Sequence, residues 1–165
     1  MARKQRVQKT NAMRELERGG VAYEAIEFDE PDPTDVSDLG VRIANMLGYD
    51  PAQGFKTLVC VAPSGDHVVC CIPVACEVDL KKAAAAAGEK SLSLMPIKDL
   101  EAVTGYVRGG CTPIGMKKPF PTLIDETAQL YDEVGVSGGR RGLSIRLSPD
   151  DLVAFLGATL ADITQ

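Results

Sequence analysis

Residues 55–74 read FKTLVCVAPSGDHVVCCIPV, two apolar runs on either side of a short polar segment. The residues of that segment, Pro63-Ser64-Gly65-Asp66, are typical of a turn. The pattern therefore predicts two strands, 55–61 and 67–74, paired as a β-hairpin. His67, the single histidine of the chain, falls at the mouth of this hairpin, and we expect it to be a surface or turn residue.

Two helices and one strand are predicted ahead of the hairpin. The first helix begins with Thr10 or Asn11 as its N-cap and ends at Gly19-Gly20. A strand over 21–28 leads into an acidic, proline-containing loop at 29–33. The second helix ends at Gly48 and has one apolar face, formed by Val36, Leu39, Ile43, Met46 and Leu47.

Behind the hairpin, Asp79 is predicted to cap an alanine-rich helix over 80–87 that ends at Gly88. In the last helix Ser148 is the predicted N-cap, followed by Pro149 at the first helical position. The remaining predicted elements are a short strand at 91–94, a helix at 96–104, and strands at 122–124, 131–136 and 143–147.

The composition is that of one globular domain. Of 165 residues, 45% are hydrophobic and 25% are charged, and this length favours a single domain. Helices mixed with hairpin and crossover strands indicate an α/β or α+β domain around a mixed sheet. No apolar run reaches the roughly 18 residues of a membrane span, and no secretory signal is recognisable. We expect a cytoplasmic protein without a membrane partner.

The charge balance limits the kind of polyanion that the protein could bind. The net charge is −5, from 18 Lys and Arg against 23 Asp and Glu. A nucleic acid would therefore have to bind a local basic patch rather than a global field. Aromatic residues make up only 5% of the chain and tryptophan is absent, which argues against a stacking platform for single strands. We expect no DNA partner.

The cysteines are expected to be free thiols. Five cysteines, an odd number, in a chain that can build its own core are better read as reduced, packed thiols than as a disulfide framework. They form no zinc-type pair with one another or with His67, so we expect no metal and no cofactor.

Residues 1–9 contain four basic side chains and are predicted to be a flexible lead-in to a domain over 10–165.

Three features could carry chemistry. Lys56 interrupts an apolar strand, where the plainest reading is an outward lysine on the polar face. The glycine-rich loop 109–115 could present several backbone N–H groups to an oxyanion or phosphate, or could be a tight connection that needs positive φ. The turn 137–142 combines Ser137 with two arginines, which suit phosphate but are also common on surfaces. No nucleotide-binding glycine motif is present.

The three features lie in three segments that together resemble the motifs of a known family: 55–58 (FKTL), 104–118 (TGYVRGGCTPIGMKK) and 136–143 (VSGGRRGL). In this order and spacing the chain resembles the YbaK/EbsC family, the bacterial Cys-tRNA(Pro) deacylases related to the editing domain of prolyl-tRNA synthetases. The resemblance runs from about Thr10 to about Ile163 and includes the helix start Asp79-Leu80-Lys81-Lys82.

The resemblance implies a single compact α/β domain with a central mixed, barrel-like β-sheet flanked by helices. It also implies trans-editing, the hydrolysis of the ester that links a wrong amino acid to tRNA(Pro). For cysteine, the substrate's own thiol would attack the ester carbonyl, so the enzyme would supply orientation and charge stabilisation. Because the family does not itself discriminate tRNAs, a prolyl-tRNA synthetase is the expected partner.

The family's functional positions map onto this chain residue by residue. By resemblance, Lys56, Gly109 and Ser137 are the catalytic residues: the essential lysine, a loop glycine that fixes the carbonyl, and a pocket serine. The expected substrate-binding residues are Phe28, Leu39, Gly110, Thr112, Pro113, Gly138 and Arg140. A basic rim for tRNA would comprise Lys117, Lys118, Arg140 and Arg141.

Departures from the family pattern leave the substrate open. Phe28 stands where a tyrosine is frequent, Leu39 where an aromatic residue is frequent, and Cys111-Thr112 where the loop usually has Ile-Ser. Cys111 is most simply a packed thiol. The alternatives to Cys-tRNA(Pro) are other cysteinyl-tRNAs, or alanine or a non-protein amino acid on tRNA(Pro). A non-catalytic module that binds tRNA or a synthetase is the rival from another class, and a redox role of the thiols is more distant.

Overall fold

The computed structural model describes residues 8–30 and 38–165. Residues 1–7 of the predicted lead-in, residues 31–33 of the acidic loop and Val36 lie outside the described residues. The helices are α1 (Asn11–Arg18), α2 (Leu39–Leu47), α3 (Leu80–Ala87), α4 (Leu100–Thr104) and α5 (Pro149–Leu156). The strands are β1 (Glu24–Glu27), β2 (Phe55–Val61), β3 (His67–Pro73), β4 (Ser93–Leu94), β5 (Thr122–Asp125), β6 (Val134–Ser137), β7 (Leu143–Leu147) and β8 (Thr159–Ala161).

The larger sheet is mixed and has five strands in the order β4-β2-β3-β5-β8. The predicted hairpin is confirmed: β2 and β3 pair antiparallel, with Phe55 opposite Pro73 and Val61 opposite His67. β3 then pairs parallel with β5, and β5 pairs parallel with β8. Helices, a hairpin and crossover strands thus form the expected mixed α/β architecture.

The sheet does not close into a barrel. A second, antiparallel sheet has three strands in the order β1-β7-β6. The two sheets meet at an isolated parallel bridge between Gly54 and Gly135. On the same edge of β2, β4 pairs with Cys60 and Val61, and β6 approaches the chain just ahead of Phe55 through this bridge. The expectation of one barrel-like sheet is therefore replaced by two sheets within the same fold class.

β3 is buried on both faces, which explains its almost uninterrupted apolar sequence. One face, with Val69 and Cys71, packs into a core shared with α1, α5 and the smaller sheet. The other face, with Cys70 and Ile72, packs beneath the alanines of α3. The small side chains of that helix let it lie close to the sheet.

Helices with local start and stop signals lie where the sequence predicts them. Thr10 caps α1 by accepting from the Met13 N–H at 3.3 Å. Asp79 and Ser148 cap α3 and α5 in the same way. The predicted helix at 96–104 begins instead with a 3-10 turn over Ile97–Asp99.

Elements whose conformation depends on residues far away in the sequence differ more from the prediction. The strand expected at 21–28 pairs only over Glu24–Glu27, and the strand expected at 131–136 is shifted to Val134–Ser137. A 3-10 helix over Glu126–Leu130 and the strand β8 were not predicted. β8 has three residues and owes its conformation to β5, a pairing that no local alternation encodes.

His67 lies half-buried at the start of β3, with its ring edge-on to Phe120 at 5.3 Å between centroids. All five cysteines carry free thiols. Within 8–30 and 38–165, no helix has the length and apolar character needed to cross a membrane.

Candidate functional site

A cavity of about 410 Å³ lies beside the bridge between the two sheets. Its wall is built by the start of β2, the end of β6, the start of α2, residues 74–77 and the loop at 108–111. Five of the residues singled out from the sequence line it: Phe28, Leu39, Lys56, Gly109 and Ser137. Segments far apart in sequence therefore meet at one concave surface.

Lys56 reaches the cavity from the rigid hairpin. Its backbone is paired opposite Ile72, and its side chain is only 32% exposed. The ammonium Nζ lies 4.0 Å from Oε1 of Glu77, which is too long for a hydrogen bond. Lys56 thus offers a positive charge at the cavity wall rather than in free solvent.

Gly109 belongs to a loop that is tied down along its length. Its φ of +85° is a conformation that residues with a side chain rarely adopt. The Tyr106 hydroxyl donates to the Ile114 carbonyl at 2.6 Å, and Nε of Arg141 donates to the Arg108 carbonyl at 2.9 Å. These bonds hold the loop backbone in place next to the cavity.

Ser137 ends β6 and opens the turn 137–142. Its Oγ accepts from the Gly139 N–H at 3.4 Å. The next residue must be small, because a Cβ on Gly138 would lie 2.5 Å from Cγ of Leu143. The turn is therefore packed closely on its own hairpin, and this places Ser137 at the cavity.

The N-terminus of α1 holds both site loops. The Thr10 hydroxyl donates to the Gly138 carbonyl at 2.6 Å, and Nδ2 of Asn11 donates to the Gly115 carbonyl at 2.7 Å. The loops also contact each other, since a Cβ on Gly110 would lie 2.9 Å from Cα of Arg140. The two loops and the helix start thus form one packed unit.

The other residues expected at the substrate do not line the cavity. Thr112 is fully buried, and its hydroxyl accepts from the Ile114 N–H at 3.5 Å. Arg140 forms an ion pair with Glu27 at 3.0 Å. Gly110, Thr112, Pro113, Gly138 and Arg140 lie behind or beside the wall.

The expected basic rim is mostly engaged with the protein itself. Nζ of Lys117 donates to the Ala102 carbonyl at 3.3 Å. Arg140 and Arg141 bind Glu27 and the Arg108 carbonyl, as described above. Lys118 is exposed, and Arg108 is both exposed and part of the cavity wall.

The entrance wall depends on a close approach of α2. A Cβ on Gly40 would lie 2.6 Å from the side chain of Val74, so glycine lets this helix contact the end of the hairpin. That contact brings Leu39 and Ile43 to the cavity. Phe28 is placed from the opposite side, where its N–H donates to the Gly142 carbonyl at 2.9 Å.

Several polar residues of the wall were not predicted from the sequence. Asp38, Thr57, Glu77, Arg108 and Ser144 all line the cavity. Each was passed over because it lies in a loop or at a strand position with no distinctive pattern, and only tertiary contacts bring the five together. The run of two glycines with an arginine at 108–110 is the one sequence signal that could have pointed to Arg108.

Tyr49 was also missed, and it separates two concavities. Its ring lies under the Arg146 guanidinium, 4.5 Å from the ring centroid, and burial raises its pKa. Beyond it is a groove of about 520 Å³ bordered by Gln53, Tyr131 and Arg146. That groove contains none of the residues predicted to act on a substrate, so we take the first cavity as the candidate site.

The thiols at the site are poor nucleophiles. Burial raises the pKa of Cys111, which lines the cavity, to about 11. Burial raises the pKa of Cys71, whose Sγ is 3.9 Å from the Thr57 hydroxyl, to about 12. A thiol needs a lowered pKa to attack at neutral pH. Among the described residues, no three His, Cys, Asp or Glu side chains are grouped to bind a metal ion.

Comparison with known proteins gives a consistent picture. The model of the aminoacyl-tRNA editing domain family matches residues 35–155. A protein of Enterococcus faecalis (strain ATCC 700802 / V583), named "Putative Cys-tRNA(Pro)/Cys-tRNA(Cys) deacylase EbsC", is 44% identical over 164 residues, covering 99% of this chain and 98% of the relative.

Solved structures resemble the chain over almost its whole length. One, described as a putative trans-editing enzyme for prolyl tRNA synthetase, is 26% identical with a TM-score of 0.79, covering 96% of this chain and 99% of that one. The structure of a hypothetical protein has a TM-score of 0.85 at 21% identity, covering 94% of this chain and 100% of that one. This second likeness concerns the fold alone.

Proposed function

This chain belongs to the family of aminoacyl-tRNA editing domains, and on that premise we propose that it is a trans-editing deacylase that hydrolyses the ester of mischarged Cys-tRNA(Pro). The observation that carries the proposal is the meeting of Lys56, Gly109 and Ser137 at one cavity. We assign the activity to residues 10–165 and place it in the cytoplasm, where charged tRNA is used.

The cavity suits a small acyl group on a terminal ribose. Its volume of about 410 Å³ falls in the usual range for small-molecule sites. The Phe28 and Leu39 side chains supply apolar wall, while Lys56 and Arg108 supply positive charge. An aminoacyl ester of a nucleotide needs both, because its acyl side chain is small and its phosphates are anionic.

For cysteine we propose that the substrate provides the nucleophile. The cysteinyl sulfur attacks the ester carbonyl carbon, the bond from that carbon to the ribose oxygen breaks, and the thiol proton passes to the ribose oxygen. The resulting four-membered thiolactone takes up one water and opens to free cysteine. This route accords with a cavity whose own thiol, Cys111, has a pKa of about 11 and whose lining lacks the single histidine, His67.

The protein's contribution would then be positioning and electrostatics. Lys56 stabilises the negative charge that develops on the carbonyl oxygen or holds the terminal ribose and phosphate. The backbone at Gly109 fixes the carbonyl, and the Ser137 hydroxyl orients the acyl group. Holding the thiol in line with the carbonyl converts a slow side reaction into a rapid intramolecular one.

Recognition of tRNA would be local and weak. With a net charge of −5, attraction to the phosphates rests on exposed cations such as Arg108, which lines the cavity, and Lys118, and binding weakens as salt rises. A prolyl-tRNA synthetase is the proposed partner that supplies mischarged tRNA(Pro) and the tRNA selectivity. Editing of this kind is needed because the binding pocket of a synthetase for proline rejects cysteine, which is similar in size, only weakly.

One observation favours a second candidate, a deacylase for alanine on tRNA(Pro). Phe28 and Leu39 line the cavity beside Ile43, which makes this part of the wall apolar. Such a wall suits a methyl side chain as well as a thiol. Alanine cannot supply a nucleophile, so this candidate would require water to attack the ester directly.

Single-turnover hydrolysis of Cys-, Ala- and Pro-tRNA(Pro) tests the proposal. We expect rapid release of cysteine alone, and its loss in Lys56→Ala. Lys98→Ala is the matched control, since Lys98 is exposed and outside the cavity. Release of alanine would move the assignment to the second candidate, whereas release of none of the three would leave a binding module for tRNA or a synthetase.

A further inference from the structure

The charged side chains of the cavity fall into two pairs. Among the described residues of its wall, the cations are Lys56 and Arg108 and the carboxylates are Asp38 and Glu77. The proposed substrate is also charged at two places, because the α-ammonium of the aminoacyl group is positive and the terminal phosphate is negative. Arg108 can meet the phosphate and Lys56 the ester carbonyl, so a carboxylate remains for the ammonium.

Glu77 is the carboxylate next to the ester-binding lysine. Its Oε1 lies 4.0 Å from Nζ of Lys56. In an aminoacyl ester the α-nitrogen and the carbonyl carbon are only about 2.5 Å apart. A lysine at the carbonyl therefore brings two positive charges close together, and a carboxylate beside both of them offsets their repulsion.

The backbone of Glu77 is held in place, while its side chain is free to reorient. Its carbonyl accepts from the Gln165 N–H at 3.0 Å. The next residue, Val78, is buried and forms a bridge with Thr164. The Glu77 side chain itself is 77% exposed. The carboxylate can thus turn from Lys56 toward an incoming ammonium without any change in the backbone.

We propose that Glu77 binds the α-ammonium of the aminoacyl ester and so selects substrates with a free α-amino group. The inference rests on the proposed deacylase function and adds a specificity-determining residue to it. Glu77 is chosen over Asp38 because the ion-pair contact of Lys56 is made to Glu77, whereas Asp38 lies at the start of α2 beside Leu39.

A pair of substrates isolates this interaction. tRNA(Pro) is charged either with cysteine or with 2-hydroxy-3-sulfanylpropionate, which keeps the thiol and replaces the ammonium by a neutral hydroxyl. Hydrolysis by the wild type, Glu77→Gln and Asp38→Asn is measured and divided by the spontaneous rate of each ester. Glu126→Gln is the control, because Glu126 is exposed and lies outside the cavity.

The expected result is a coupling between residue and substrate. The wild type and Glu126→Gln should cleave the hydroxy ester roughly tenfold less efficiently than the cysteinyl ester, the loss typical of one charge-assisted contact at an exposed site. Glu77→Gln should lose a similar factor on the cysteinyl ester and nothing further on the hydroxy ester. Thermal unfolding should be unchanged, since Glu77 is exposed and its backbone contacts remain.

A binding measurement gives a readout without catalysis. A non-hydrolysable cysteinyl amide of 3′-amino-3′-deoxyadenosine and its hydroxy counterpart are titrated into the full chain. The wild type should prefer the ammonium form roughly tenfold, and Glu77→Gln should bind the two forms equally.

Three outcomes would overturn the inference. If the wild type accelerates hydrolysis of neither ester, the proposed function is wrong and the inference with it. If cysteine is released but Glu77→Gln slows both esters equally, the deacylase stands and only the role of Glu77 is wrong. If Asp38→Asn alone removes the difference between the esters, the ammonium is bound by Asp38.

Discussion

The hairpin that carries Lys56 and the loops that carry Gly109 and Ser137 are built in opposite ways. β2 and β3 are paired residue by residue from Phe55 to Val61, and their own sequence encodes that pairing. The loop at 109–115 has no ladder of its own, and the turn 137–142 is paired only at its ends, where Ser137 lies opposite Ser144. Both are also held by bonds from Thr10 and Asn11, more than 100 positions away.

The difference teaches where the site is rigid by itself and where it depends on the rest of the fold. Lys56 can be changed without disturbing its strand, because the backbone pairing with Ile72 does not involve its side chain. A change at Thr10, in contrast, alters a loop that it touches through one hydrogen bond to Gly138. The four predictions that follow compare these two halves.

The largest effect is expected on the hairpin side. Lys56→Ala should reduce single-turnover hydrolysis of Cys-tRNA(Pro) by roughly 100-fold or more, because it removes the charge that we propose faces the reacting ester. The melting temperature should stay within a degree or two, measured by circular dichroism. Lys56→Arg should restore part of the rate. Unchanged activity of Lys56→Ala would show that the hairpin takes no part in catalysis.

On the loop side, Thr10→Ala removes both the cap of α1 and the bond to Gly138. We expect a loss of about 1–2 kcal/mol in the free energy of unfolding and a roughly tenfold lower kcat/KM, since a small displacement of a site loop is costly. Urea unfolding and hydrolysis assays measure the two effects.

Ser148→Ala is the matched control for that prediction. Ser148 caps α5 with a bond of the same 3.3 Å length, accepted from the Asp151 N–H, but no residue of α5 lines the cavity. Its loss should lower stability by about 1 kcal/mol and leave the rate unchanged. Equal losses of rate in the two variants would mean that the cap acts only through global stability.

A smaller, pH-dependent effect is expected at Tyr106. Tyr106→Phe removes the bond to the Ile114 carbonyl and should cost about 1 kcal/mol of stability. Burial raises the pKa of Tyr106 to about 12, above the value of about 10 for an unfolded chain. The contribution should thus be complete below pH 10 and be lost between pH 10 and 12. Urea titrations of both proteins at pH 7.5 and 10.8 measure this, and a difference that grows with pH would contradict it.

The smallest effect is expected at Cys111. Since its pKa is about 11, Cys111→Ala should change the hydrolysis rate less than threefold, and iodoacetamide at pH 7.5 should leave the Cys111 thiol unmodified, as read by mass spectrometry. Rapid alkylation of Cys111 with loss of activity would contradict this prediction and support a nucleophilic or redox role for the thiol.

Much of the fold followed from local signals. Thr10, Asp79 and Ser148 each cap the predicted helix, because a cap is a contact within one turn of chain. The strand bounds of β2 and β7 also match, since apolar runs flanked by turn residues mark them. β8 was missed because its three residues are extended only through pairing with β5.

The site was predictable in its motifs but not in its full membership. Lys56, Gly109 and Ser137 came from a resemblance between motifs, and the structure brings them to one cavity. Gly138 and Arg140 belong to the same motif yet lie outside the wall, where Gly138 packs on Leu143 and Arg140 binds Glu27. A motif records residues that stay together in sequence, whether they touch a substrate or support the loop.

The amino-acid sequence alone determined the hairpin, the helix caps, the single mixed α/β domain and the family to which the chain belongs, because these depend on short-range bonds and on motif spacing. Only the tertiary structure decided that the sheet stays open, that Glu77 stands beside Lys56, and that the start of α1 holds both loops. Those features depend on which distant segments meet when the core is buried, and no local pattern carries that information.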